Sequence, residues 1–122
     1  MNRFKIILLL SFIFCIFSCS EFIEYPLDKE EIELLAPSDS YETTDSIQTF
    51  WWSTHEDAKY YRLQIAKPNF INTNKIILDS VTTNDKLILK LDTGIYSWRV
   101  RPENDGSAGY YVERALKVIG KP

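Results

Sequence analysis

The 122-residue chain is 45% hydrophobic and 14% aromatic, with 14 basic and 17 acidic residues and a formal net charge of −3. An acidic balance works against phosphate backbones, whose binding relies on Lys and Arg displacing counterions, so nucleic acid is not an expected partner. The length is that of a single domain.

The first eighteen residues read as an export signal. Arg3 and Lys5 give a positive start, Ile6 to Phe17 is almost wholly apolar, and Ser18 puts a small residue directly before Cys19. The apolar run is about a dozen residues, short of the roughly 20 that a membrane-spanning helix needs. Ile16-Phe17-Ser18-Cys19 resembles a lipobox, which implies cleavage before Cys19 and acylation of its thiol. Removing Arg3 and Lys5 leaves 12 basic against 17 acidic residues, a net of −5. Cys15 leaves with the signal and Cys19 is consumed by lipid. No thiol is then left for a disulfide, a nucleophile or a thiolate metal site, so the fold rests on core packing.

Residues 19–30 follow as a mixed acidic stretch with Pro26 and no sustained period, read as a tether between lipid and domain. Ser20-Glu21 and Glu24 also resemble acidic signals that send some Gram-negative lipoproteins to the outer face of the outer membrane.

Residues 31–120 show short period-two segments separated by turn residues, the pattern of an all-β sandwich or barrel. The segments are Ile32 to Ala36, Ile47 to Ser53, Tyr60 to Ala66, Lys75 to Val81, Lys86 to Leu91, Ile95 to Arg101 and Tyr110 to Ile119. Pro37 and the polar run Ser38 to Ser46 separate the first two, and Pro68 with Asn69 to Asn74 forms another loop. Alternation sends Phe50, Trp52, Tyr61, Leu63, Leu89, Leu91, Tyr96, Trp98 and Val100 inward. Seven short strands in about 90 residues is the count expected of an immunoglobulin-like sandwich.

Trp52, Tyr61 and the run Leu91…Gly94-Ile95-Tyr96…Val100 resemble a fibronectin type III domain. The strings Thr49-Phe50-Trp51-Trp52-Ser53 and Gly94-Ile95-Tyr96-Ser97-Trp98-Arg99-Val100-Arg101 are similar to the version found in bacterial surface lipoproteins. The resemblance implies a core centred on a tryptophan and a tyrosine. It also implies a corner at Tyr96, whose hydroxyl returns to nearby backbone. It places strands three and six side by side, and the loop Pro102 to Gly109 at an end where the family often binds. This superfold hosts many functions, so the resemblance implies a fold more than an activity.

Tyr60, Arg62, Arg99 and Arg101 are expected on the outer face of one sheet. There they either recognise an acidic partner with cation–π support or cover a solvent-facing sheet with arginine stems, Glu113 pairing with one of them. Trp51 faces away from the core on the other sheet near Ile88. It is either a flat platform for a sugar or apolar group, or is covered by Phe22, Ile23, Tyr25 and Leu27. The single histidine, His55, lies in the turn His55-Glu56-Asp57 and is read as a solvated turn residue rather than an acid or base. One histidine without a free thiol cannot anchor zinc. Asp39, Asp45, Asp57 and Asp105 match no calcium-loop spacing. The expectation is a non-enzymatic lipoprotein without cofactor or metal, attached to the outer membrane through Cys19. It faces either the cell surface or the periplasm, and serves as a protein- or glycan-binding accessory or as a structural spacer of an envelope complex.

Overall fold

The computed structural model describes residues 24–122. The export signal, Cys19 and the first part of the tether lie outside the described residues. Eight strands follow in order: β1 (Leu34–Ala36), β2 (Tyr41–Thr43), β3 (Ile47–Trp52), β4 (Tyr60–Lys67), β5 (Lys75–Thr82), β6 (Lys86–Lys90), β7 (Gly94–Glu103) and β8 (Val112–Val118). They form a three-stranded sheet of order β1-β3-β6 and a five-stranded sheet of order β2-β8-β7-β4-β5. Packed face to face, the two sheets make an all-β, immunoglobulin-like sandwich of fibronectin type III-like arrangement.

The period-two pattern is visible in burial. In β3 the residues alternate exposed and buried, and Phe50 and Trp52 are fully buried. Across the gap lie Tyr61, Leu63 and Ile65 of β4 and Tyr96, Trp98 and Val100 of β7, all 4% exposed or less. Phe50 meets Trp98 edge-on with centroids 5.0 Å apart, and Trp52 meets Tyr61 at 6.1 Å. Leu91 is buried at the end of β6, while Leu89 is only partly buried and packs against the core's margin. The Tyr96 hydroxyl donates to the Asp92 carbonyl at 2.7 Å, closing the corner into β7. Burial raises the Tyr96 phenol above its ordinary value, and the Asp92 charge adds to the rise. The Trp52 and Trp98 indole N–H groups have no hydrogen-bond partner among the described residues.

The strand count is eight rather than the expected seven. The run Ser38 to Ser46, read as loop, contains β2, which pairs in parallel with β8 (Tyr41 opposite Leu116). The chain crosses from one sheet to the other after β1. Ser40, in the left-handed region at φ 58°, donates its amide to the Ala115 carbonyl at 2.9 Å, and the Asp39 carboxylate accepts the Ala115 amide at 2.9 Å. A three-residue edge strand with Tyr41 and Glu42 exposed and no buried residue has no in-and-out alternation to reveal it. A second boundary also moves: Pro102 and Glu103, expected in a loop, complete β7.

The tether reading also changes from Glu24 onward. Residues 24–30 are packed on the domain as a strap. Leu27 is fully buried, its amide donates to Ser107 Oγ at 2.7 Å, and Asn104 Nδ2 donates to the Tyr25 carbonyl at 2.9 Å. A tight turn (Glu30 amide to Leu27 carbonyl, 2.8 Å) with Lys29 at φ 70° reverses the strap. The Tyr110 amide then clamps the Glu30 carbonyl at 2.8 Å.

Candidate functional site

β4 and β7 are neighbours with Arg62 opposite Arg101 and Gln64 opposite Arg99. Alternation turns all four away from the core. Two guanidinium groups placed directly across a strand pair repel unless an anion stands between them. Glu103, two residues along β7, supplies it: one carboxylate oxygen accepts from Arg62 Nε and Arg101 Nε, both at 2.8 Å. Asp79 on β5 accepts from the Arg62 Nη1 at 3.1 Å. The Glu103 side chain is 10% exposed. Burial alone would raise its carboxyl, but the two arginine hydrogen bonds and their charges outweigh burial and hold it below the usual glutamate range. The same contacts raise Arg62 further, its bonds to Glu103 and then Asp79 outweighing the cost of burial.

Arg99 is held differently. Its Nε donates to Gln64 Oε1 at 2.8 Å, and its guanidinium lies 4.0 Å from the Phe70 ring centre and 4.2 Å from that of Tyr111. Arg101 stands 4.6 Å from the same Tyr111 ring. Two cations lie on one aromatic ring and two rings lie on Arg99, contacts that hold both groups without using their terminal nitrogens. Among the described residues those nitrogens of Arg99 and Arg101 donate to no protein acceptor. Burial raises the Tyr111 phenol, and the three arginines only partly reverse the rise, so the hydroxyl stays protonated beside them. Phe70 reaches the sheet because Asn69 folds its loop: Asn69 Oδ1 accepts from the Ile71 and Asn72 amides at 3.0 and 2.7 Å.

Of the residues singled out from sequence, Arg62, Arg99 and Arg101 come together. Tyr60 does not join them in a cation–π contact. It stands at the loop end opposite Glu103, and its hydroxyl donates to the Asn104 carbonyl at 3.1 Å. Glu113 lies opposite Arg99 in register but pairs with no arginine among the described residues; Glu103, Asp79 and Gln64 take that place. Sequence reasoning missed Phe70, Tyr111 and Glu103. A lone Phe in an Asn-rich loop is the one local signal for the first.

Trp51 lies on the outer face of the other sheet, 38% exposed. Its Nε1 donates to Asp85 at 3.3 Å, and Lys86 Nζ sits 4.7 Å from the ring centre. Tyr25 and Leu27 dock on the β7–β8 loop instead, so they do not provide the cover considered for Trp51; Phe22 and Ile23 lie outside the described residues. On the same outer face, Ile88 opposite Thr49 is 68% exposed and Ile47 is 57% exposed.

His55 is half-buried rather than a free turn residue. Its Nδ1 accepts the Asp57 amide at 3.1 Å and its Nε2 lies 3.4 Å from Glu30 of the strap. The four loop aspartates are dispersed: Asp39 holds the Ala115 amide, Asp45 the Ile47 amide at 2.9 Å, and Asp105 pairs with Lys59. No group of three or more potential metal ligands converges among the described residues. A depression of about 270 Å³ lies between the β2–β3 and β6–β7 loops and the C-terminal segment, and one of about 80 Å³ lies beneath the strap.

No family model matches the chain, and no curated protein matches it. Among solved structures the chain is similar to one described as FN3tt mut, at 13% identity with a TM-score of 0.49, over 72% of this chain and 90% of that one.

Proposed function

We propose that the chain is a non-catalytic binding module, anchored in a membrane by lipid on Cys19, that engages an acidic protein or glycan through the arginine face of its five-stranded sheet. The observation that carries this is Arg99 and Arg101. Both guanidinium groups lie close to the Tyr111 ring centre, at 4.2 and 4.6 Å. Among the described residues each donates to protein only through Nε, so the edge formed by its two terminal nitrogens has no protein acceptor. Such an edge fits the two oxygens of a carboxylate or sulfate. Preorganisation removes part of the ordering cost of binding. The outer membrane, facing the cell surface, is the location that agrees with the lipobox and the acidic residues after it.

A second reading, a spacer within an envelope complex, has its own support in Arg62. Both edges of that guanidinium are engaged by Glu103 and Asp79, as expected of a side chain that covers a sheet. Retention on immobilised poly-glutamate and polygalacturonate separates the two. Binding that weakens with salt and falls at least tenfold in Arg99→Ala/Arg101→Ala supports the module. Equal behaviour of wild type and variant leaves the spacer.

A further inference from the structure

We infer that the end of the sandwich carrying the β3–β4, β5–β6 and β7–β8 loops faces the lipid surface at close range, with Tyr25, Trp51 and Tyr110 at the interface. This rests on the reading that Cys19 carries lipid, and it concerns how the domain then stands on the bilayer.

The sequence alone allows a tether of a dozen residues reaching roughly 40 Å, long enough for the domain to turn freely. The strap removes most of that length. From Glu24 the chain is already bound: Glu24 Oε1 accepts the Asp105 amide at 3.0 Å and lies 3.4 Å from Lys59 Nζ, and Leu27 is buried three residues later. The approach of strap and loop is close enough to require glycine. A Cβ on Gly109 would collide with the Glu30 carbonyl and come within 2.7 Å of Pro102 Cγ. Five residues, 19–23, are left between the lipidated position and the docked strap. Fully extended they span about 17 Å.

The sandwich is taller than that. β4 has eight residues and is about 26 Å long. A leash shorter than the domain, leaving from one end, holds that end towards the headgroups. The side chains there suit the position. Of the four aromatic residues among the exposed large hydrophobics, Tyr25 (65%), Tyr110 (57%) and Trp51 (38%) are at the loop end, and Tyr41 alone is elsewhere. Tyr and Trp are the residues that favour the headgroup layer. In this stance the arginine face stands upright beside the bilayer, and the β4–β5 loop with Ile71, 92% exposed, is at the far end.

The test uses the full chain, processed and lipidated in a bacterial host, reconstituted in phosphatidylcholine–phosphatidylethanolamine vesicles that contain a headgroup-linked fluorescence quencher. Glu56→Cys reports from the loop end and Ile71→Cys from the far end; with Cys19 acylated, each introduced thiol is unique. Quenching of the Glu56→Cys label at least threefold stronger than that of the Ile71→Cys label is expected. Equal or reversed quenching in a lipidated protein overturns the orientation and leaves the anchoring intact. Absence of lipid on Cys19 by mass spectrometry overturns both. Leu27→Asp, which restores the longer leash, should erase the difference. Lys59→Ala/Ser107→Ala provides the same release where Leu27→Asp disturbs folding. Persistence of the difference in a folded, released variant overturns the role of the strap.

Discussion

Arg62 and Arg101 stand directly opposite one another on adjacent strands, and one oxygen of Glu103 accepts a hydrogen bond from each at 2.8 Å. The ionised Glu103 carboxylate is the one anion that both arginines share among the described residues, Asp79 adding a second contact to Arg62 alone. Glu103 is therefore a stability element with a definite pH dependence. Its folded value lies below the unfolded one, so its contribution is complete above the ordinary glutamate value, near 4.3. It is lost as pH falls through the lower folded value. Glu103→Gln should cost about 2 kcal/mol near pH 7. The gap to wild type should be smaller at an acid pH below the ordinary glutamate range than near pH 7. Urea unfolding at both pH values checks this, and a gap that is unchanged in acid contradicts it.

The aromatic clasp around Arg99 yields a second expectation. Tyr111→Leu keeps an apolar side chain but removes the ring that faces both Arg99 and Arg101. Stability should fall by about 1–2 kcal/mol from lost cation–π and packing contacts. Retention on an acidic matrix should fall, whereas Glu113→Gln, which removes a carboxylate that pairs with no arginine among the described residues, should leave it unchanged or higher. Thermal unfolding and salt-gradient elution provide the two readouts.

The corner at Tyr96 is a third test. Its hydroxyl donates to Asp92 two residues before the start of β7, while the ring is buried in the core. Tyr96→Phe keeps the ring and leaves the Asp92 carbonyl to solvent, so a loss of about 1 kcal/mol is expected. Trp98→Ala removes a fully buried side chain and should cost about 3–5 kcal/mol. Denaturant midpoints at constant m-value rank the two.

Gly109 ties the loop to the strap. Gly109→Ala forces the Glu30 carbonyl or Pro102 to move, so protease sensitivity between Glu24 and Glu31 should rise even where the sandwich stays folded. Limited proteolysis followed by mass spectrometry locates the cut. An unchanged cleavage pattern would show that the strap adjusts in place.

Much of the sandwich was legible because burial on one face writes itself into alternate residues. Phe50, Trp52, Tyr61, Leu63, Leu91, Tyr96, Trp98 and Val100 are all buried as the alternation predicts. The same periodicity put Arg62, Arg99 and Arg101 on one outer face, since register follows from neighbouring strands. What escaped has no period to carry it. β2 is a three-residue edge strand with Tyr41 and Glu42 exposed, and Leu27 is a buried side chain in an acidic stretch whose backbone amide bonds to a serine 80 positions later. Phe70 and Tyr111 converge on Arg99 from two separate segments, and their meeting depends on how the Asn69 loop folds. Glu103 falls in the run Pro102 to Gly109 that reads as a loop, whereas β7 continues through Pro102 and ends at Glu103.

The most direct measurement is a 15N NMR titration of the mature chain carrying Cys19→Ala, following arginine Nε–H signals as a short polygalacturonate or glutamate oligomer is added. The result expected is that Arg99 and Arg101 Nε–H signals shift together in a saturable, salt-sensitive manner, while Arg62 moves little. Shifts confined to Trp51 and its surroundings, or none at all with either oligomer, would contradict the assignment of the arginine face as the binding surface.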